Sequence, residues 1–379
     1  MAGDHNFYKA AQTGDLTFFK ACSKKHGSDT SWLHKSYAKS GDTVLHYSAQ
    51  FGHVELLGYL IEQGADVEKP NFDGKKPLHD AAQNGHSACV KFLLEKGAMI
   101  DGLKRADWFD HTLTPLMLAC TKHDLDVIRI LVEHGANLNL VNKDGWNPFH
   151  IACREGDIQV MKYLLSKDTQ SWDTVSKNGR TPLHTAALHG NTEAVSYLLD
   201  NCAVVMDTTD SCGSTPFIDA LRSGHVDIAR ILLNRQKVDI HKEDNFGYQT
   251  IHLAVQTGQL MSVQFLVEDC SLDVNGRSTK GFFPLAVAAK EGQLSVMQYL
   301  VDKGADIDMA DNKGRTALHI AAAAQHAECC QYLLQRNAKC SADVNGKTPQ
   351  DYARKQHVID VFTTFCAGNE TANTQSEVT

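Results

Sequence analysis

The sequence lacks the features that would place a chain in or across a membrane. No apolar run approaches the ~20 residues that a bilayer-spanning helix needs. The opening stretch, MAGDHNFYKAAQTGD, contains an acid and no apolar core of a signal peptide. We therefore expect neither membrane association nor a secretory signal, and we expect a protein of the cytoplasm and the nucleus.

Cysteine is present without the spacing that disulfide frameworks or metal sites use. The 379 residues include 11 cysteines, an odd number, and no CxxC pair occurs. Most cysteines lie in segments whose sequence predicts a helix, as Cys120 and Cys153 do. We interpret them as free thiols that pack as small apolar side chains in a reducing compartment, and we expect no metal site.

Catalytic motifs are missing as well. The sequence contains no P-loop, GxSxG, HExxH or protein-kinase motif, and carboxylates such as Asp124, Asp126 and Glu133 fit solvated helix faces. We therefore expect no enzyme and no cofactor. The net charge of -8 speaks against direct nucleic-acid binding, because neutralising phosphates needs a basic face. A local basic patch remains compatible with this charge.

One four-residue box of the form Thr-Pro-Leu-His recurs along most of the chain. Successive copies begin 32 to 38 residues apart, at Thr43, Lys76, Thr114, Asn147, Thr181, Thr215, Gln249, Phe283, Thr316 and Thr348. A period near 33 residues with this box is the signature of ankyrin repeats. The sequence is thus identified as a member of the ankyrin-repeat family. It predicts an all-α solenoid of about ten helix-loop-helix repeats with β-hairpin fingers.

Each part of the sequence that recurs from repeat to repeat has a structural role. A glycine two residues before the box, such as Gly145, supplies the positive φ of a tight hairpin. The box Thr is a helix N-cap, and Pro follows at the first helical position. A second glycine, such as Gly52, ends the first helix, and apolar residues at helical spacing, such as Leu57 and Leu60, mark the second.

Six boxes contain a histidine, one per repeat: His46, His79, His150, His184, His252 and His319. Stacked repeats place equivalent residues about 10 Å apart, which is too far to share a metal ion. We therefore predict structural histidines, each bonded to the neighbouring turn.

The two ends of the array differ from its middle. Residues 4–38 read as a degenerate N-terminal capping repeat, residues 39–345 as ankyrin repeats and residues 346–366 as a C-terminal capping repeat. Each repeat contacts only its neighbours, so the ends need polar caps. The polar residues 367–379 are predicted to be disordered.

The longest step, from Lys76 to Thr114, adds about five residues at 109–113, which predicts a loop on the finger side. Trp108, Trp146 and Trp172 lie in finger or inter-repeat positions of the same region. Exposed aromatic residues anchor protein interfaces, which makes the three tryptophans candidate partner-binding residues. Packing of the same side chains between fingers is the equally weighted alternative.

Several stretches here resemble a vertebrate family of ankyrin-repeat proteins that partner alanyl-tRNA synthetase. They include LKRADW (103–108), TPLMLAC (114–120), NKDGWNPFHIACREGD (142–157) and RTPLHTAALHG (180–190). The resemblance implies binding to the catalytic domain of the synthetase. It also implies capture of wrongly activated serine on lysine side chains, so that the tRNA is not mischarged. The inserted residues FDHTL (109–113) depart from the family, whose sequence is shorter at this point.

The acceptor lysines of that family carry over only in part. Lys143 matches directly, whereas Arg105 occupies a second acceptor position with Lys104 beside it. Asp173, which follows Trp172, occupies the third acceptor position. The resemblance thus implies Lys143 and Lys104 as serine acceptors, with Arg105 as a further partner-binding residue. Ordinary solvated finger lysines remain the alternative, as does an adaptor with a different protein partner. We expect a monomer when no partner is bound.

Overall fold

The computed structural model describes residues 2–103, 113–205, 207–235 and 238–365. The chain divides into two compact units, Met1–Val204 and Val205–Thr379. Each unit is built from pairs of antiparallel helices, so the predicted all-α class is confirmed. No helix in the described ranges is both long enough and apolar enough to cross a membrane.

Except for α1, which no box precedes, the first helix of each pair begins directly after the first residue of the box. In the first unit these helices are α1 Ala2–Thr13, α3 Val44–Gln50, α5 Pro77–Gln83, α7 Pro115–Cys120, α9 Pro148–Glu155 and α11 Pro182–Leu188. In the second unit they are α13 Pro216–Arg222, α15 Thr250–Gln256, α17 Pro284–Glu291 and α19 Ala317–Ala324. Within a unit, successive first helices pack against each other.

The second helices form the other layer of each unit. They are α2 Leu16–His26, α4 Val54–Glu62, α6 Ser87–Glu95, α8 Leu125–Glu133, α10 Ile158–Lys167, α12 Thr192–Asn201, α14 Val226–Arg235, α16 Leu260–Gln264, α18 Leu294–Asp302 and α20 Ala327–Gln335. One π-helical turn, Phe265–Asp269, extends α16. Short 3-10 helices lie at Ser31–His34, Ser171–Asp173 and Pro349–Tyr352, and a last helix spans 356–365.

The box residues form the first helices as predicted. The Thr114 hydroxyl accepts the Met117 N–H at 3.2 Å, which satisfies a backbone donor at the start of α7. Alanines such as Ala81 and Ala82 in α5 are fully buried, because neighbouring first helices approach closely there. In the second layer, buried leucines such as Leu57 and Leu60 complete a core that runs between the two layers.

The fingers between helix pairs are tight turns, and the described residues show only isolated β-bridges, such as Glu243 with Gln249. At the start of the first unit, α1, α2 and the 3-10 helix Ser31–His34 enclose a small aromatic core. That core contains Trp32, whose ring packs 5.8 Å from that of Phe7 and 5.9 Å from that of Phe19. The fourth tryptophan of the chain is therefore a core residue.

Candidate protein-binding surface

The finger that carries Lys143 is fixed by one asparagine side chain. Asn142 Oδ1 accepts the backbone N–H groups of Asp144 and Trp146, both at 2.9 Å. The backbone of Asn142 and Trp146 closes the turn at 2.9 Å, and Gly145 adopts a φ of +80°. Lys143 therefore stands at a defined turn tip.

The Lys143 amine has no hydrogen-bonding or ionic partner among the residues that the structure describes, and its side chain is half-buried. Two neighbouring finger lysines, two repeats earlier in the chain, are engaged. Lys75 Nζ lies 2.5 Å from Gln83 Oε1, and Lys76 Nζ lies 2.5 Å from Glu68 Oε2. Lys143 thus differs from these lysines in keeping its amine available.

The next finger lies directly against this one. The backbone N–H of Lys177 donates to Asp144 O at 3.0 Å, and a Cβ on Gly145 would lie 2.4 Å from Lys177 N. Only glycine fits at this contact. The pairing places a second lysine, whose side chain is exposed, on the finger beside Lys143.

Trp146 connects its finger to the first-helix layer. The Arg154 guanidinium of α9 lies 5.7 Å from the indole centroid, and the His189 ring meets the indole edge-on at 6.4 Å. Glu155 accepts from Arg154 Nε at 2.8 Å, which orients the guanidinium. The indole is half-buried. One part of Trp146 therefore packs between repeats while another part faces solvent, so both alternatives from the sequence apply to it.

Trp172 belongs to the second-helix layer. It lies in the 3-10 helix Ser171–Asp173 and lines an open cavity of about 380 Å³ together with Lys162, Leu165 and Tyr197. The side chains around Trp146 come from first helices, whereas those around Trp172 come from α10 and α12. The structure therefore does not bring the two tryptophans together on one surface.

Lys104, Arg105 and Trp108 lie outside the described residues, as do residues 109–112 of the insertion. The predictions on these positions stay predictions. Lys143 and Trp146 are the predicted residues that the structure places together on one finger, and Lys177, which was not predicted, lies on the finger in contact with it.

The box histidines hold neighbouring repeats together, as the sequence predicts. The ring of His79 accepts the Lys76 N–H at Nδ1, 3.1 Å away, and donates from Nε2 to the Gly102 carbonyl at 2.8 Å. His46, His252 and His319 repeat this arrangement. Burial lowers the pKa of His79, His150 and His252 to about 4, so these rings are neutral near pH 7.

One group of potential metal ligands occurs among the described residues. Atoms of Asp42, His46 and Asp80 lie within 4.8 Å of one another. Both ring nitrogens of His46 already bond to protein groups, and Asn71 Nδ2 donates to Asp42 Oδ1 at 2.6 Å. We therefore interpret the group as a hydrogen-bonding network between two repeats.

Known families and structures agree with this architecture. The family profile described as "Ankyrin repeats (3 copies)" matches residues 7–104, 99–175, 169–244, 236–311 and 285–375. The chain belongs to the ankyrin-repeat family. It is an ankyrin-repeat solenoid, and such solenoids generally act as protein-interaction modules, because stacked repeats present extended binding surfaces.

The individual relatives share only parts of the chain. A putative ankyrin repeat protein, FPV223 of Fowlpox virus (strain NVSL), is 34% identical over 123 residues, which are 32% of this chain and 82% of the viral protein. Alpha-latrotoxin-Lg1a of Latrodectus geometricus is 35% identical over 127 residues, 34% of this chain but 9% of the toxin. The human ASB11 ankyrin repeat domain superposes with a TM-score of 0.50 at 28% identity, covering 56% of this chain and 91% of that domain.

Proposed function

We propose that the chain is a non-enzymatic scaffold that holds alanyl-tRNA synthetase and captures misactivated serine. The quoted stretches, NKDGWNPFHIACREGD above all, are similar to ankyrin repeat domain-containing protein 16, for which this role is known. The scaffold acts in the cytoplasm and the nucleus, and binds no nucleic acid directly. Buried free thiols such as Cys89 and Cys120 support a reducing compartment.

The observation that carries the proposal is the Lys143 amine, which a fixed turn tip presents without a partner among the described residues. Capture of serine is an acyl transfer. The neutral amine nitrogen attacks the carbonyl carbon of seryl-adenylate and an amide bond forms. The acyl–phosphate bond breaks, AMP leaves, and the proton lost by the nitrogen passes to water. Editing of this kind is needed because a binding pocket for alanine rejects the slightly larger serine only weakly. A lysine held close to the adenylate gains effective molarity.

The test combines the purified chain with alanyl-tRNA synthetase, serine and ATP, followed by peptide mass spectrometry. We expect serine mass on Lys143, and no serine mass at this position in K143R. Lys122, an exposed lysine of the first-helix layer, is the matched control, and K122R should leave the modification of Lys143 unchanged. Unmodified Lys143 in the complete mixture would reject serine capture at this residue.

Binding to the synthetase is tested separately by co-precipitation of the purified proteins. W146A should weaken the complex, because the exposed part of the indole lies on the same finger as Lys143. A complex that never forms would favour the alternative, an adaptor for a different protein. In that case W146A should weaken the other complex instead.

A further inference from the structure

Trp146 is held by contacts on several sides. Asn142 fixes its backbone, because Asn142 Oδ1 accepts the Trp146 N–H and the Asn142 N–H donates to the Trp146 carbonyl, both at 2.9 Å. The His189 ring meets the indole edge-on at 6.4 Å, and the Arg154 guanidinium lies 5.7 Å from the indole centroid. With the backbone fixed, the orientation of the indole depends on where these two side chains lie.

The next repeat fixes the backbone from which the Arg154 side chain starts. Asn191, which directly precedes α12, donates from Nδ2 to the carbonyls of Cys153 and Arg154, at 2.9 and 2.5 Å. A Cβ on Gly156 would lie 2.7 Å from Asn191 Oδ1, so the end of α9 lies tightly against this side chain. Only the rotamers of Arg154 itself then remain to be restricted.

Glu155 restricts the guanidinium of Arg154. Its Oε1 accepts from both Nε and Nη2 of the arginine, at 2.8 Å from Nε. Two donors of one planar group on the same oxygen define the plane of that group as well as its position. The arginine and glutamate side chains are 34% and 25% exposed, so neither is fully solvated. A guanidinium held in this way keeps one face toward the indole, where its charge attracts the ring.

One other described first helix, α17, ends in a basic residue followed by a glutamate. Its Lys290 and Glu291 form the corresponding ion pair at 3.1 Å. The aromatic residue before that box, Phe282, stacks on Tyr248, with the ring centroids 4.4 Å apart. A ring that stacks on its neighbour keeps its orientation without the ion pair. Trp146 has no aromatic residue directly before either neighbouring box, so its indole depends on the charged pair.

We infer that Glu155 and Arg154 are positioning residues, which hold the Trp146 indole in one orientation before a partner binds. This inference rests on the proposed function, because the partner is alanyl-tRNA synthetase. A tryptophan offers a large contact area with few rotatable bonds. An anchor side chain that is already ordered loses less conformational freedom on binding, so the complex is tighter. Glu155 acts through Arg154 and Trp146 and not by its own contact with the partner.

Fluorine NMR of the full chain labelled with 5-fluorotryptophan tests the orientation without any partner. The chain has four tryptophans, and W146F identifies the Trp146 resonance. E155Q keeps the shape of the side chain and removes its charge. It should shift and broaden the Trp146 resonance and leave the others unchanged. The matched control is E291Q, which removes the charge of the corresponding pair in α17 and should leave all the resonances unchanged.

Titration of the same variants with purified alanyl-tRNA synthetase tests the consequence for binding. E155Q should raise Kd more than about twofold and up to about tenfold, which is the usual cost of ordering one large side chain on binding. E291Q should bind as the parent chain does, because its repeat belongs to the second unit and Phe282 stays stacked. A Kd of E155Q within about twofold of the parent value would overturn the inference.

A double-mutant cycle shows whether Glu155 acts through the indole. W146A combined with E155Q should bind the synthetase no more weakly than W146A alone. A further loss in the double variant would mean that Glu155 contacts the partner directly, which would overturn the positioning role. R154K keeps the positive charge but loses the planar fork, so it should behave as E155Q does in both measurements.

Failure of the proposed function gives a different result from failure of the positioning role. A parent chain that does not bind the synthetase would reject the proposed partner, and the fluorine resonances would still decide whether Glu155 positions Trp146. A parent chain that binds the synthetase, with a Trp146 resonance that E155Q leaves unchanged, would overturn the positioning role and leave the proposed function intact.

Discussion

At the residue scale, most glycines that end a first helix lie against the start of a second helix one repeat later. A Cβ on Gly52 would lie 2.6 Å from the His86 ring, and one on Gly292 would lie 2.7 Å from the His326 ring. The sequence predicted these glycines only as helix ends. The structure shows a second reason for them, a close approach of backbone to a side chain of the next repeat.

A comparison of Gly292 with Gly304, in the same repeat, separates the effect of positive φ from the effect of the close approach. Both have positive φ, +71° and +91°, so alanine at either position costs roughly 1–2 kcal/mol of backbone strain. Only Gly292 faces another residue, and the His326 ring is held by a bond to Lys290 O at 3.1 Å. We expect G292A to lose about 1–3 kcal/mol more unfolding free energy than G304A in urea. Equal losses would show that the ring simply moves aside.

At the element scale, α9 begins with a cap that differs from the others. Asn147 Oδ1 accepts the His150 N–H at 2.9 Å and also lies 2.8 Å from His150 Nδ1. His150 Nε2 lies 3.2 Å from the Arg180 carbonyl. A neutral imidazole has one N–H, yet both ring nitrogens face acceptors. A threonine at the cap, as in most boxes, both accepts and donates through one hydroxyl.

This cap gives a prediction for the element that carries Trp146. N147A should lower the unfolding free energy by about 1–2 kcal/mol, because the first turn of α9 loses its side-chain acceptor. N147T is the control. It keeps an acceptor for the His150 N–H and can donate to Nδ1, so it should unfold at the urea concentration of the parent chain or higher. A loss in N147T as large as in N147A would show that the bond from Asn147 Nδ2 to Thr174 matters more.

At the scale of the whole molecule, buried neutral histidines occur in both units. His79 and His150 belong to the first unit and His252 to the second, and burial lowers the pKa of each to about 4. An unfolded histidine titrates near ~6.5. Between these values the unfolded chain binds protons that the folded chain does not. Stability is therefore complete above pH ~6.5 and falls as the pH drops toward 4.

The size of this acid effect follows from the pKa difference. Each histidine contributes on the order of 3 kcal/mol of destabilisation by pH 4, so the urea midpoint should fall steeply between pH 6.5 and 4.5. H252N should reduce the slope of unfolding free energy against pH by about one proton. H241N, at an exposed turn, is the matched control and should leave the slope unchanged. A flat midpoint over this range would show that the rings protonate without unfolding.

The sequence determined the family, the repeat period and the bounds of most first helices, because each box carries its own cap, proline and glycine. It also determined that the box histidines bond to the neighbouring turn. These features depend on residues close in sequence, and the period repeats them many times. No local sequence feature indicated the boundary between the two units near Val204.

Only the tertiary structure decided which of the candidate residues share a surface. Trp146 and Trp172 are 26 positions apart and look alike in the sequence, yet they belong to different helix layers. Folding brings Gln83 to the Lys75 amine, whereas it brings none of the described residues to the Lys143 amine. Contacts across repeats join residues more than thirty positions apart, and no local pattern records them.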